Sequence, residues 1–184
     1  VSESLNLVSV GRLIELKGHK YAIESIQKLV LNGYNIKYNI VGDGEQYNYL
    51  KKMIDELSLN GIVKLHGFKS QSEIREMLSN SDVFLMPSIT DASGRGEAQG
   101  QVTAEAQAMG LPVVAFDSGG VSETIMNNES GILVTEKDIN AFAEAIKSLL
   151  NNELLRIKMG ETAQDFIKEK FNLKLNSELF FKLY

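Results

Sequence analysis

The chain has 184 residues, with 19 Lys+Arg against 24 Asp+Glu, a formal net charge of −5, no Cys, no Trp and 43% hydrophobic residues. This size fits one globular α/β domain or at most two small ones, and the cysteine count excludes a disulfide scaffold and any Cys-based zinc site. The longest apolar runs, such as Val83–Met86 and Leu111–Phe116, fall far short of the ~20 residues of a membrane span, no signal-peptide pattern opens the chain, and a pI near 5.2 argues against a general nucleic-acid binder while leaving room for a local cationic pocket. The expected location is therefore the cytoplasm.

Short apolar runs alternate with amphipathic stretches along the whole chain, which reads as one domain over 1–184. Leu5–Val10 predicts a strand, and His19–Leu31 a helix with Ala22, Ile26, Leu29 and Val30 on one face. Ile36–Val41 predicts a strand closed by the tight turn Gly42-Asp43-Gly44, followed by a helix over Glu45–Leu57. A strand over Ile62–His66, a short helix over Ser70–Ser79 and a strand over Asp82–Met86 come next. A glycine-bearing loop over Ser88–Gly100 leads into a helix near Gln101–Met109, which Gly110 caps. Strands over Pro112–Phe116 and Gly131–Val134 flank a Gly119-Gly120 turn. Asp138 is placed to N-cap a helix over Ile139–Leu150, and helical stretches over Glu153–Lys170 and about Leu173–Leu183 end the chain. This β-α-β-α rhythm predicts a parallel sheet of about six strands with helices on both faces. Ligands of such sheets sit at the carboxyl ends of the strands, near a topological switch point.

Each chemically suggestive loop follows a strand. Gly11 lets a ligand approach the backbone closely, Arg12 offers a fork of donors and Lys17 a point charge, a pair suited to phosphate oxygens or simply two surface cations in a turn. Gly94–Gly100 reads GRGEAQG directly before a helix, which presents free amides and the positive dipole end to an anion. It lacks the Gly-Lys-Ser/Thr of a Walker A loop and the third glycine of a dinucleotide fingerprint, and a flexible surface loop is the alternative. Seven residues separate Glu97, in that loop, from Glu105, one turn inside the helix. Such carboxylates can accept hydrogen bonds from paired sugar hydroxyls. Among Val102, Ala104, Ala106 and Ala108, Glu105 is expected to need a polar partner. His19, at a helix start, and His66, ending a strand, are expected to be structural or solvent-facing. Asp91 belongs to no paired-Asp metal motif. Phe68, Phe84 and Phe116 read as core or turn residues, Phe68 being the most exposed candidate.

Taken in order, these pieces resemble the nucleotide-binding C-terminal half of a GT-B glycosyltransferase, within the large retaining family of the group 1, or family 4, type. The resemblance is carried by VGRLIELKG at Val10–Gly18, IVGDGEQ at Ile40–Gln46, LHGFKSQSEI at Leu65–Ile74 and DVFLMPS at Asp82–Ser88. It continues through EAQGQVTAEAQAMGLPVVAFDSGGVSE at Glu97–Glu123 and SGILV at Ser130–Val134. It implies a Rossmann-like sheet in which Arg12 and Lys17 neutralise a donor diphosphate. Backbone amides of Gly100, Gln101 and Val102 would meet the same diphosphate. Glu97 would contact hydroxyls of the transferred sugar, Glu105 the ribose, and Gly67-Phe68-Lys69 would line the nucleobase, with Gly11 beneath the donor. The departures are Gln101 where an apolar residue is common, Gln107 where Met is common, and a long stretch over Thr90–Arg95.

The implied activity is transfer of a sugar from a nucleoside-diphosphate donor, UDP by default, to an acceptor hydroxyl, with retention of configuration and no metal or other cofactor. Glu97, Arg12 and Lys17 are the catalytic candidates, and polysaccharide, capsule or lipopolysaccharide synthesis is the expected setting. The resemblance also implies that a carbohydrate or lipid-linked acceptor binds an N-terminal half absent from these 184 residues. The domain alone would then have little activity, residues 172–184 would cross back to that half, and the full enzyme could lie at the inner face of the membrane. The alternatives are a non-catalytic nucleotide-sugar-binding module and a nicotinamide-dependent oxidoreductase domain. The missing fingerprint after the first strand argues against the latter.

Overall fold

The structure, a computed structural model, describes residues 4–91, 94, 96 and 101–170. Its strands are β1 (Leu5–Val10), β2 (Ile36–Val41), β3 (Val63–Leu65), β4 (Val83–Met86), β5 (Val113–Phe116) and β6 (Gly131–Val134). They form one sheet in the order β3-β2-β1-β4-β5-β6, with every pairing parallel. The helices are α1 (His19–Leu31), α2 (Tyr47–Glu56), α3 (Gln71–Ser79), α4 (Gln101–Ala108), α5 (Ile139–Leu150) and α6 (Glu153–Lys170). Among the described residues no helix is long and apolar enough to cross a membrane.

A parallel sheet covered on both faces needs apolar residues pointing both ways, so its inner strands read as continuous hydrophobic runs. Every residue of β4 and β5 is buried. On one face Leu7, Leu85, Val114 and Phe116 pack against Ile23 and Ile26 of α1, Leu50 of α2, and Phe142 and Ile146 of α5. Tyr21, Phe116 and Phe142 stack edge to face and tilted, with centroids 5.9 and 4.8 Å apart. On the other face Val8, Phe84, Val113 and Ala115 meet Leu78 of α3 and Ala106 of α4.

Local chemistry sets the boundaries. Asp138 caps α5 as expected, its carboxylate accepting from the Ala141 N–H at 2.9 Å. Helix α3 starts after Ser70 with a full capping box: the Ser70 hydroxyl accepts from the Glu73 N–H, and the Glu73 carboxylate accepts from the Ser70 N–H at 2.8 Å. The Lys69 ammonium, followed by Ser70, holds the Glu73 carboxyl down at about 2. Helix α2 begins at Tyr47 rather than Glu45, because the Gln46 N–H is bonded to the Leu13 carbonyl at 2.9 Å. β3 is shorter than its apolar pattern, and Gly119–Thr124 forms a short 3-10 helix rather than a bare turn. The stretch predicted helical over Leu173–Leu183 lies outside the described residues.

Neighbours of β1 leave in opposite directions across the sheet, β2 and β3 to one side and β4, β5 and β6 to the other. The topological switch point therefore lies between β1 and β4, and the loops after those strands flank a crevice at their carboxyl ends.

Candidate functional site

The turn after β1 is built from both sides. Leu13 is fully buried and anchors it, while Arg12 on the opposite side is exposed. Its backbone is tied to the turn after β2: the Gly11 N–H donates to Val41 and the Leu13 N–H to Asp43, both at 2.9 Å. A 3-10 helix over Glu15–Lys17 then returns the chain toward Gly11. The Lys17 stem lies over Gly11, its Cε 3.5 Å from where a Cβ would stand, an ordinary van der Waals separation. Gly18, at φ 60°, fits against the end of β4 so closely that a Cβ would be 1.9 Å from the Pro87 carbonyl oxygen. The Ile89 N–H donates to the Leu16 carbonyl at 2.8 Å, and the Ser118 hydroxyl to the Ser88 carbonyl at 2.5 Å, so the ends of β1, β4 and β5 are locked together.

The turn after β3 stands beside that after β2. Gly42 and Gly67 form an antiparallel bridge, with the Gly42 N–H donating to Gly67 at 2.9 Å. Phe68 projects from it with 83% of its surface exposed, and Lys69 turns back onto Glu73 at 2.8 Å. Phe68 thus presents its ring to solvent between a bridged glycine and the capped start of α3. Phe84 and Phe116 are buried core residues, whereas Phe68 is not.

On α4 the inward positions are Thr103, Ala106 and Gln107. Gln107 crosses to the 3-10 helix, its amide donating to the Thr124 carbonyl at 2.6 Å. This corrects the expectation for Glu105. Its alanine neighbours suggested an enclosed carboxylate, but the helical turn places it on the solvent side, exposed. Gln101 is also exposed and Val102 half-buried. Gln101, Ala104 and Glu105 form one wall of a cavity of about 510 Å³, whose other wall is Gly120, Glu123, Thr124 and Lys170. Lys170 donates to the Glu123 carbonyl. Helix α6 reaches this position because Gly160 meets the end of α4, where a Cβ would come 2.1 Å from the Gly110 oxygen. Arg12, Lys17 and Gly67-Phe68-Lys69 do not line this cavity. Gly120, Glu123, Thr124 and Lys170 were not singled out from the sequence, since nothing in their spacing relates them to Glu105. Glu97 and Gly100 lie outside the described residues.

Both histidines are withdrawn from charge. Burial, then the Lys17 ammonium, lowers His19 to about 4. Burial, followed by Lys64 and Lys69, lowers His66, whose Nε2 stands 2.8 Å from the Asn39 Oδ1. His66 thus plays the structural part expected of it.

Two cations on one turn, an exposed aromatic ring and an exposed carboxylate lie on segments that follow strands of a parallel sheet, the side on which α/β domains hold their ligands. The chain belongs to the glycosyl transferases group 1 family, whose model matches residues 2–166. It is 38% identical over 170 residues to the amylovoran biosynthesis glycosyltransferase AmsK of Erwinia amylovora, covering 92% of this chain and 42% of that one. It is 31% identical over 166 residues to the capsular polysaccharide biosynthesis glycosyltransferase CapM of Staphylococcus aureus, covering 90% and 42%. A solved Staphylococcus aureus TarM mutant, in complex with fondaparinux, alpha-GlcNAc-glycerol and UDP, superposes with a TM-score of 0.87 at 27% identity, covering 100% of this chain and 36% of that one. The chain spans less than half the length of the curated relatives it matches.

Proposed function

We propose that this domain holds the nucleoside-diphosphate sugar of a retaining glycosyltransferase, with a UDP-sugar as donor and the product a polysaccharide, capsule or lipopolysaccharide. The observation that carries this is the placement of Arg12 and Lys17 on one turn at the β1/β4 switch point, the crevice such sheets use for ligands. Arg12 and Lys17, with the amides of Gly100, Gln101 and Val102, take the charge of the departing diphosphate in place of a metal. Phe68 stacks on the base beside Gly67 and Lys69, Glu105 receives the ribose hydroxyls, and Glu97 orients the transferred sugar. Their sequence pattern and the TarM complex with UDP support the assignment. The departing phosphate takes the acceptor proton on the face that the sugar leaves. Acceptor recognition is assigned to the part of the relatives that this chain does not match, so transfer requires that part as well.

Calorimetric titration with UDP, GDP, ADP and NADH tests the reading. A nucleoside diphosphate is expected to bind, and Arg12→Ala and Lys17→Ala are each expected to weaken it about tenfold or more, since a charge-assisted hydrogen bond contributes roughly 1.5–3 kcal/mol. Unchanged affinity in both variants, or binding of NADH alone, would overturn the assignment.

A further inference from the structure

His19 is a buried titratable group that the chemistry above leaves unused. It opens α1 directly after Gly18, is only 4% exposed, and among the described residues neither its Nδ1 nor its Nε2 has a hydrogen-bond partner. Buried polar atoms in native proteins are nearly always paired, so an orphaned imidazole calls for a reason. The ring is within reach of the turn that carries Arg12 and Lys17. The Arg12 carbonyl and the Lys17 ammonium both act on it, but the carbonyl contact falls short of a formed hydrogen bond. That carbonyl accepts from the Ile14 N–H at 3.0 Å and keeps a second lone pair. Burial and Lys17 keep the ring neutral near neutral pH, so it offers one N–H donor and adds no charge.

We propose that His19 is a positioning residue for the Arg12–Lys17 turn. When a diphosphate docks on the two cations, the turn settles onto the imidazole and a ring N–H completes the hydrogen bond to the Arg12 carbonyl. The orphaned ring is then the open half of a contact that closes with the ligand. Gly18, pinned against Pro87, fixes the ring while the turn adjusts. This inference rests on the nucleotide reading of the site.

The test compares UDP with UMP, because only the diphosphate loads both cations. In the 184-residue chain, His19→Leu should weaken UDP at least fivefold while UMP changes less than twofold, and His19→Gln, which keeps an N–H donor, should recover part of the loss. In ¹⁵N-histidine spectra of the unsubstituted chain, the His19 ring nitrogens should shift on saturation with UDP and stay put with UMP. An unchanged UDP/UMP ratio in a folded His19→Leu variant overturns the proposal. So do ring resonances that ignore UDP, which decide the matter if that variant does not fold. Failure of the unsubstituted chain to bind any nucleoside diphosphate overturns the functional reading instead, and this proposal with it.

Discussion

A Cβ on Gly42 would stand 1.9 Å from the carbonyl oxygen of Gly11. The turn after β2 is therefore pressed against the turn after β1 with no space for a side chain, at a φ of 141° that L residues rarely adopt. Gly42 also bridges to Gly67, so one glycine sets the distance between the cationic turn and the Phe68 platform. Gly42→Ala should force these turns apart. The expected cost is about 1–3 kcal/mol of stability, as for other overpacked sites, with at least a tenfold loss of nucleoside-diphosphate affinity. Denaturant unfolding and calorimetry read the two effects separately. A variant with native stability and affinity would show that the contact sets nothing.

Phe68 makes the opposite case, because its exposure leaves it little to contribute to the fold. Phe68→Ala should change unfolding stability by less than about 0.5 kcal/mol, the usual range for surface substitutions. Stacking of one base on an aromatic ring is worth roughly 1–3 kcal/mol, so the same variant should bind UDP about fivefold or more weakly. It should bind free ribose 5-phosphate as the unsubstituted chain does. Loss of affinity for both ligands would mean that the ring supports the turn rather than the base.

The two variants divide along what a sequence can carry. Strands β1, β2 and β6 and helices α1, α5 and α6 begin and end where apolar periodicity and caps place them, because those signals are local. That the glycine, arginine and lysine after β1 share one turn was legible for the same reason, since they lie within seven residues of each other. The environment of Glu105 was misread, since only the packing of Thr103, Ala106 and Gln107 shows which side of α4 faces out. The second wall of the large cavity joins residues 120–124 to Lys170, and no local pattern links segments so far apart. His66 and Asn39, one hydrogen bond apart across β2 and β3, are hidden by the same distance along the chain.

Ser9 joins three strands at the switch point. Its hydroxyl lies 2.7 Å from the Tyr38 hydroxyl and donates to the Leu85 carbonyl at 2.6 Å, with both side chains buried. Burial drives the Tyr38 phenol far above its ordinary range, so it stays a neutral donor to Ser9. Ser9→Ala strips the tyrosine hydroxyl of this partner in a dry site, and should cost about 1–3 kcal/mol. Tyr38→Phe removes the donor as well as its demand, and Ser9 keeps Leu85, so it should cost less. The double variant should be no worse than Ser9→Ala alone, since the orphaned group is gone. Additive losses in denaturant unfolding would mean that the two hydroxyls contribute independently.

His19 also gives the fold a pH dependence whose sign can be worked out. In the unfolded chain an imidazole titrates near 6.5, and in the fold burial and Lys17 lower it to about 4. The folded state thus prefers the neutral ring. Its full contribution is present above pH 6.5, declines as the pH falls toward 4 and is lost below that. A shift from 6.5 to about 4 corresponds to about 3 kcal/mol across this window. Glu73, whose carboxyl is held at about 2, and His66 add acid sensitivity of their own. The measurement is therefore a difference: stability of the unsubstituted chain minus that of His19→Gln, taken at pH 7, 5.5 and 4. The difference should fall steadily toward acid, because the His19 ring takes up a proton when the unsubstituted chain unfolds, whereas Gln does not titrate and the other groups cancel. A difference that stays constant from pH 7 to 4 would mean that the ring reaches solvent and titrates like a free histidine.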